Sequence, residues 1–131
     1  MKVVLDASAA IETVFGRKHA SRLGSIVAEA DIVLAPDLFV PEVVNTIWKY
    51  HQFEGLPLDE CDRFLTTAIG VVDVLVPSME IHREAFLLAR TARRPAYDMF
   101  YLALARREDA VLLTTDAALR KEAERQGVRV A

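Results

Sequence analysis

The chain has 131 residues, 53% hydrophobic and 27% charged, with only five glycines and five prolines; these proportions exclude a linker, a fibre or a disordered tail and describe a single globular domain over 1–131. One cysteine, Cys61, excludes an internal disulfide framework and any cysteine-based zinc or iron–sulfur site, and it suits a reducing cytoplasm. Sixteen Lys and Arg against nineteen Asp and Glu give a net charge of −3, which argues against holding nucleic acid through bulk positive charge but leaves the placement of the acids open.

Apolar periodicity switches along the chain between short β-branched runs and longer amphipathic stretches. Val3-Val4-Leu5 predicts a buried strand that runs straight into Asp6. That run is too short for a signal peptide, and no stretch approaches the roughly 18 apolar residues of a membrane span, so the expected location is cytoplasmic. Helical spacing covers Ala7 to about Phe15 and Lys18 to about Ala30, followed by a strand at Ile32-Val33-Leu34. Asp37 to about Phe53 carries Val40, Val43, Val44, Ile47 and Trp48 at three- and four-residue steps, with Pro41 in the first helical turn and Gly55 and Pro57 ending it. A helix over Leu58–Ala68, a strand over Val71–Val76 and a helix from Pro77-Ser78 to Ala92 follow. Arg93-Arg94-Pro95 breaks the pattern before a helix over Tyr97–Arg107, a strand at Val111-Leu112-Leu113, and a last helix over Ala117–Gln126. Strands separated by helical crossovers predict an α/β fold, a three-layer α/β/α domain with a mainly parallel central sheet.

Ligands of an open parallel sheet gather beyond the carboxyl ends of its strands. Asp6 directly follows the first strand, and Asp116 follows Val111-Leu112-Leu113 by a Thr-Thr step, so both belong at that edge. Each is also a favoured helix N-cap, and for either alone the cap is the simpler reading. Glu42, amid Val40, Val43 and Val44, and Asp98, amid Tyr97, Met99, Phe100 and Tyr101, lie in apolar helical surroundings, where an unpaired carboxylate costs several kcal/mol. First-turn acids beside Pro41 and after Pro95 are the plain alternative. Taken together, the four acids can converge on one pocket with no obvious Lys, His or Cys partner. A hard divalent cation, Mg²⁺ or Mn²⁺, is the usual resolution of that repulsion. Such an ion serves phosphodiester hydrolysis without a nucleophilic side chain.

In order along the chain, four segments carry a family likeness: Val3-Val4-Leu5-Asp6-Ala7-Ser8, Pro41-Glu42-Val43-Val44-Asn45, Tyr97-Asp98-Met99-Phe100-Tyr101-Leu102-Ala103, and Leu112-Leu113-Thr114-Thr115-Asp116. In these motifs the sequence resembles a PIN-domain ribonuclease of the VapC toxin type, over essentially its whole length. The resemblance implies a PIN-like three-layer fold, an endoribonuclease requiring Mg²⁺ or Mn²⁺, an RNA substrate, a homodimer, and inhibition by a cognate antitoxin. It implies that Asp6, Glu42, Asp98 and Asp116 are the catalytic, metal-binding acids and that Ser8, Asn45 and Thr114 support them. Asn45 lies one turn after Glu42 on the same face, which suits holding a carboxylate; ordinary surface or strand-end hydrogen bonds are the alternative for Asn45 and Thr114.

Arg93 and Arg94, and likewise Arg106 and Arg107, can contact RNA phosphates beside the pocket, although arginines at helix ends more often face solvent. His19, His51 and His82 share no ligand spacing. Trp48 and Tyr50 can stack on a base, but Trp48 continues the Val44–Ile47 stripe and is expected in core or dimer packing. Competing functions are a catalytically weak PIN-like module that regulates by binding protein or RNA, and a phosphotransfer or phosphatase domain. The second is disfavoured because Asp6-Ala7-Ser8 lacks the Asp-x-Asp that an aspartyl-phosphate chemistry needs.

Overall fold

In the computed structural model, which describes residues Met1–Ala131, β-branched runs and amphipathic stretches alternate as β1 (Lys2–Leu5), α1 (Ala7–Val14), α2 (Ala20–Glu29), β2 (Ile32–Pro36), α3 (Phe39–Glu54), α4 (Leu58–Gly70), β3 (Val74–Val76), α5 (Ser78–Ala92), α6 (Ala96–Glu108), β4 (Val111–Leu113) and α7 (Ala117–Arg125). The strands pair in parallel in the order β3-β2-β1-β4. Central β1 sets Val3 against Val33 on one side and Val111 on the other. Its Val3, Val4 and Leu5 are fully buried, as expected of a strand covered on both faces. The chain steps outward from β1 to β2 to β3 and then crosses back to place β4 on the other side of β1. With right-handed crossovers, that reversal sends the later helices to the opposite face. Accordingly α6 packs on β1, β2 and β4 and against α5, whereas α1 packs against α2, α3 and α4. The three-layer α/β/α architecture is the one expected.

Helix α6 shows why its sequence has no clean polar face. Tyr101, Leu102, Ala103, Leu104 and Ala105 are all buried, and a helix apolar all round belongs in an interior. The outer edge of β4 is covered by the chain's own end: the Leu112 N–H donates to Arg129 O at 2.9 Å and the Ala131 N–H to Leu112 O at 3.0 Å. The other edge, β3, leaves Val74 and Leu75 partly open.

One sequence expectation changes. The strand predicted over Val71–Val76 begins only at Val74, because α4 runs on to Gly70 and Val72 closes a turn to Ile69 O at 3.2 Å. Asp73 then clips the edge, exchanging backbone and side-chain hydrogen bonds of 2.8 Å with Val33. Cys61, in the first turns of α4, is buried and its thiol faces Leu56 O at 3.7 Å.

Arg93 ends α5 in the left-handed region, φ 55, a conformation that costs a non-glycine residue about 1–2 kcal/mol. Arg93→Gly is therefore expected to raise stability by about 0.5–1 kcal/mol, read as a higher melting temperature. A lower one would mean that the Arg93 side chain contributes more than its backbone costs.

Candidate active site

The reversal between β1 and β4 opens a crevice at their carboxyl ends, the place where such sheets bind ligands. Asp6 stands at the end of β1, tied to β4 by its N–H to Leu113 O at 3.1 Å. It caps α1, its Oδ1 accepting from the Ala9 N–H at 2.8 Å and from the Ser8 hydroxyl at 2.7 Å. The Thr114 hydroxyl donates to Oδ2. Only 5% exposed, Asp6 is pushed up to about 6: burial dominates, the bonds from Ser8, Thr114 and Ala9 oppose it, and the Glu42 charge adds to it. The same two hydroxyls brace the β4 loop, Ser8 accepting from the Thr115 N–H at 3.1 Å and Thr114 from the Asp116 N–H at 3.0 Å. Asp116 in turn caps α7, its Oδ1 accepting from the Ala118 and Leu119 N–H groups at 2.9 and 3.0 Å. Both strand-end acids are thus helix caps, and the caps are what aim them into the crevice.

Glu42, in the first turn of α3, receives the Tyr101 hydroxyl on Oε1 at 2.6 Å. Burial raises its carboxyl; the Tyr101 bond opposes this and the Asp98 charge reinforces it. Asp98, in the first turn of α6, is raised by burial and by Asp116, while Arg94, 4.0 Å away, pulls it down. Charge repulsion therefore links Asp6 to Glu42, Glu42 to Asp98 and Asp98 to Asp116. All four acids line one cavity of about 440 Å³ together with Ser8 and Asn45, while Thr114 stands behind Asp6. No three of them stand close enough to form a ready-made metal cage. Their donor type nevertheless fits a hard divalent ion. Oε2 of Glu42, Oδ1 of Asp98 and Oδ2 of Asp116 carry no protein hydrogen bond, because the ordering contacts use the other oxygen.

The remaining candidates lie around the cavity or away from it. Arg94 faces Asp98 at 4.0 Å, and its buried Nε has no partner. Arg93 serves as the α5 cap. Arg106 and Arg107 line a separate cavity two turns along α6, where Arg107 meets Glu80. His51 and His82 donate to the carbonyls of Leu56 and Met79. Trp48 is not in the core but 50% exposed, edge-on to Phe53. Val43 and Ile47 take the inward positions of α3, so the apolar stripe is wider than the core it serves. Residues of the cavity wall outside the sequence reading include Glu12, Tyr101 as a hydrogen-bond donor, Lys49 and Arg17. Lys49 has a legible signal, since Glu42, Asn45 and Lys49 repeat at helical spacing on one face. Arg17 is spoken for, its guanidinium stacking on Phe15 and Tyr50 and donating to the Tyr50 hydroxyl.

The Tyr101 bond favours ionised Glu42. Tyr101→Phe is expected to cost about 1 kcal/mol, with a larger loss at neutral pH than at a pH low enough to protonate Glu42, whose carboxyl burial raises. Melting curves at the two pH values would show it; an equal loss at both would mean the hydroxyl does not stabilise the charge.

The PIN domain family model matches residues 3–124. Ribonuclease VapC3 of Pyrobaculum aerophilum is 32% identical over 121 residues, covering 91% of this chain and 92% of that protein. Among solved structures, PAE2754 of the same organism superposes with a TM-score of 0.70 at 21% identity, covering 93% of this chain and 84% of that one. FitAcB of Neisseria gonorrhoeae gives 0.65 at 15% identity, with 98% and 95% covered. VapC20 of Mycobacterium tuberculosis, a sarcin–ricin loop cleaving toxin, gives 0.62 at 14% identity, with 91% and 93% covered.

Proposed function

The chain belongs to the PIN-domain family and is a VapC-type member of it, and from that premise we propose that it is a divalent-metal-dependent endoribonuclease, the toxin of a toxin–antitoxin pair. The observation that carries the reading is the meeting of Asp6, Glu42, Asp98 and Asp116, from four separate elements, in one cavity at the β1/β4 reversal. These four would hold Mg²⁺ or Mn²⁺. When bound, such an ion activates water and offsets the charge that develops on a phosphodiester as its P–O bond breaks. The protein's own part is to hold the donors. Ser8 and Thr114 fix Asp6, Tyr101 fixes Glu42, and the α7 cap fixes Asp116 with one oxygen turned free. Arg94 keeps Asp98 from rising further toward its protonated form. Asn45, one turn after Glu42 in the cavity wall, is positioned to hold a water or a substrate oxygen. A cognate antitoxin and a homodimer complete the reading by analogy with the VapC relatives, and a single unpaired cysteine suits the cytoplasm as its place. No helix is long and apolar enough to cross a membrane.

A second reading, a catalytically weak PIN-like module that regulates by binding, draws on the spacing of the acids, which form no ready-made cage. Incubation with a mixed RNA pool separates the two. The nuclease reading expects cleavage with Mn²⁺ and none with EDTA. Absence of cleavage at any Mn²⁺ concentration, with no thermal stabilisation by the ion, favours the module.

A further inference from the structure

A second cavity, about 510 Å³, opens on the other side of the β4 loop, lined by His19, Arg22, Thr114, Thr115 and Arg120 and closed by Val130 and Ala131. Its charge is opposite to that of the acidic cavity. No Asp or Glu side chain lines it. Neither Arg22 nor Arg120 takes part in any of the ion pairs that occupy other arginines of the fold, and neither pairs with the Ala131 carboxylate at the cavity margin. Neither stacks on an aromatic ring, unlike Arg17 and Arg63. Unpaired guanidinium groups around a concavity are suited to phosphate, whose oxygens match the guanidinium fork. Thr115, exposed at the tip of the β4 loop, lines both cavities, so they share a rim one residue wide.

We propose that this basic cavity, through Arg22 and Arg120 with His19 beside them, binds the RNA backbone phosphates next to the one held at the acidic site. The inference rests on the nuclease reading for the position of the scissile phosphate. A strand crossing the Thr115 rim passes from the acids to the arginines, which fixes where it lies. The lining contains no Phe, Tyr or Trp, so it offers no platform for stacking bases. It therefore positions the backbone and reads no sequence. Despite the net charge of −3, it sets two unpaired arginines at one edge of the acidic site.

The test is binding of a short fluorescein-labelled mixed-sequence single-stranded RNA in EDTA over a series of salt concentrations, by anisotropy, for wild type and Arg22→Ala/Arg120→Ala. The double variant is expected to bind roughly tenfold more weakly, with the slope of log K against log salt shallower by about 1.4, two contacts at about 0.7 each. With Mn²⁺, it is expected to raise KM while leaving kcat unchanged. Arg22 is exposed, so Arg22→Glu alone repeats the test if the double variant melts early. Equal affinity and slope in wild type and variants overturn the proposal even if wild type cleaves RNA. Lost affinity in the variants with no cleavage by any form sustains the basic cavity and overturns the nuclease reading instead.

Discussion

In EDTA, Asp6→Asn melts higher than the wild-type protein. A carboxyl buried at the end of β1 and pushed up to about 6 from an ordinary 3.8 is favoured by the fold in its protonated form. The native state then binds the extra proton between those two values. Its stabilising contribution is complete below about 3.8, falls as pH rises through about 6, and is gone at neutral pH. The ionised carboxylate thus costs the metal-free fold about 3 kcal/mol at neutral pH relative to acid. An amide of the same shape removes that cost. Its oxygen can still accept from the Ala9 N–H and the Ser8 hydroxyl, and its NH₂ can donate to Thr114 if that hydroxyl turns. The expected gain is of the order of 10 °C in melting temperature for a domain of this size, shrinking as pH falls below about 6. A variant that melts lower than wild type at neutral pH would mean that the hydrogen bonds to Asp6, rather than its desolvation, dominate.

Mn²⁺ reverses the order. An ion that binds only the folded protein stabilises it by about 2.7 kcal/mol at a hundredfold excess over Kd, and the carboxylates must be deprotonated to receive it. The wild-type shift should therefore be large at neutral pH and collapse as pH falls through about 6, where Asp6 takes up its proton. Asp6→Asn should show little shift at any pH. A stabilisation by Mn²⁺ that is independent of pH, or equal in the two proteins, would place the ion somewhere other than this cavity. Together the two results describe a site that the fold tolerates at a cost in stability, a common property of functional centres.

How much of this is legible in the sequence follows from which signals are local. The strands β1, β2 and β4 announce themselves as short β-branched runs, and the turn residues after them place Asp6 and Asp116 without any knowledge of pairing. The fold class follows from alternation of strands and helices alone. β3 reads too long in the sequence because Val71 and Val72 have strand propensity yet close the turn after α4, a choice made by Asp73 clipping onto Val33. Trp48 reads as core or dimer packing and is half exposed, because apolar periodicity cannot tell a buried stripe from one that continues onto the surface. Tyr101 is readable as core but not as a donor to Glu42, although a buried tyrosine hydroxyl usually has a partner. Arg94 and Asp98 stand at an ordinary i,i+4 spacing, a relation that the break at Pro95 hides. The basic cavity has no local signal: His19 and Arg22 lie far from Arg120 in the chain and meet it only where β1 and β4 pair.

Asp98 offers the most direct trial of the central claim, because it neither caps a helix nor accepts a hydrogen bond that the fold requires, and Arg94 at 4.0 Å is its ion-pair partner. Cleavage of one RNA substrate in Mn²⁺ by wild type and by Asp98→Asn, at matched concentration and with both confirmed folded, is the measurement. The acidic-cavity account predicts that wild type cleaves and that the variant is slower by at least about a hundredfold. Equal rates for the two proteins would contradict it.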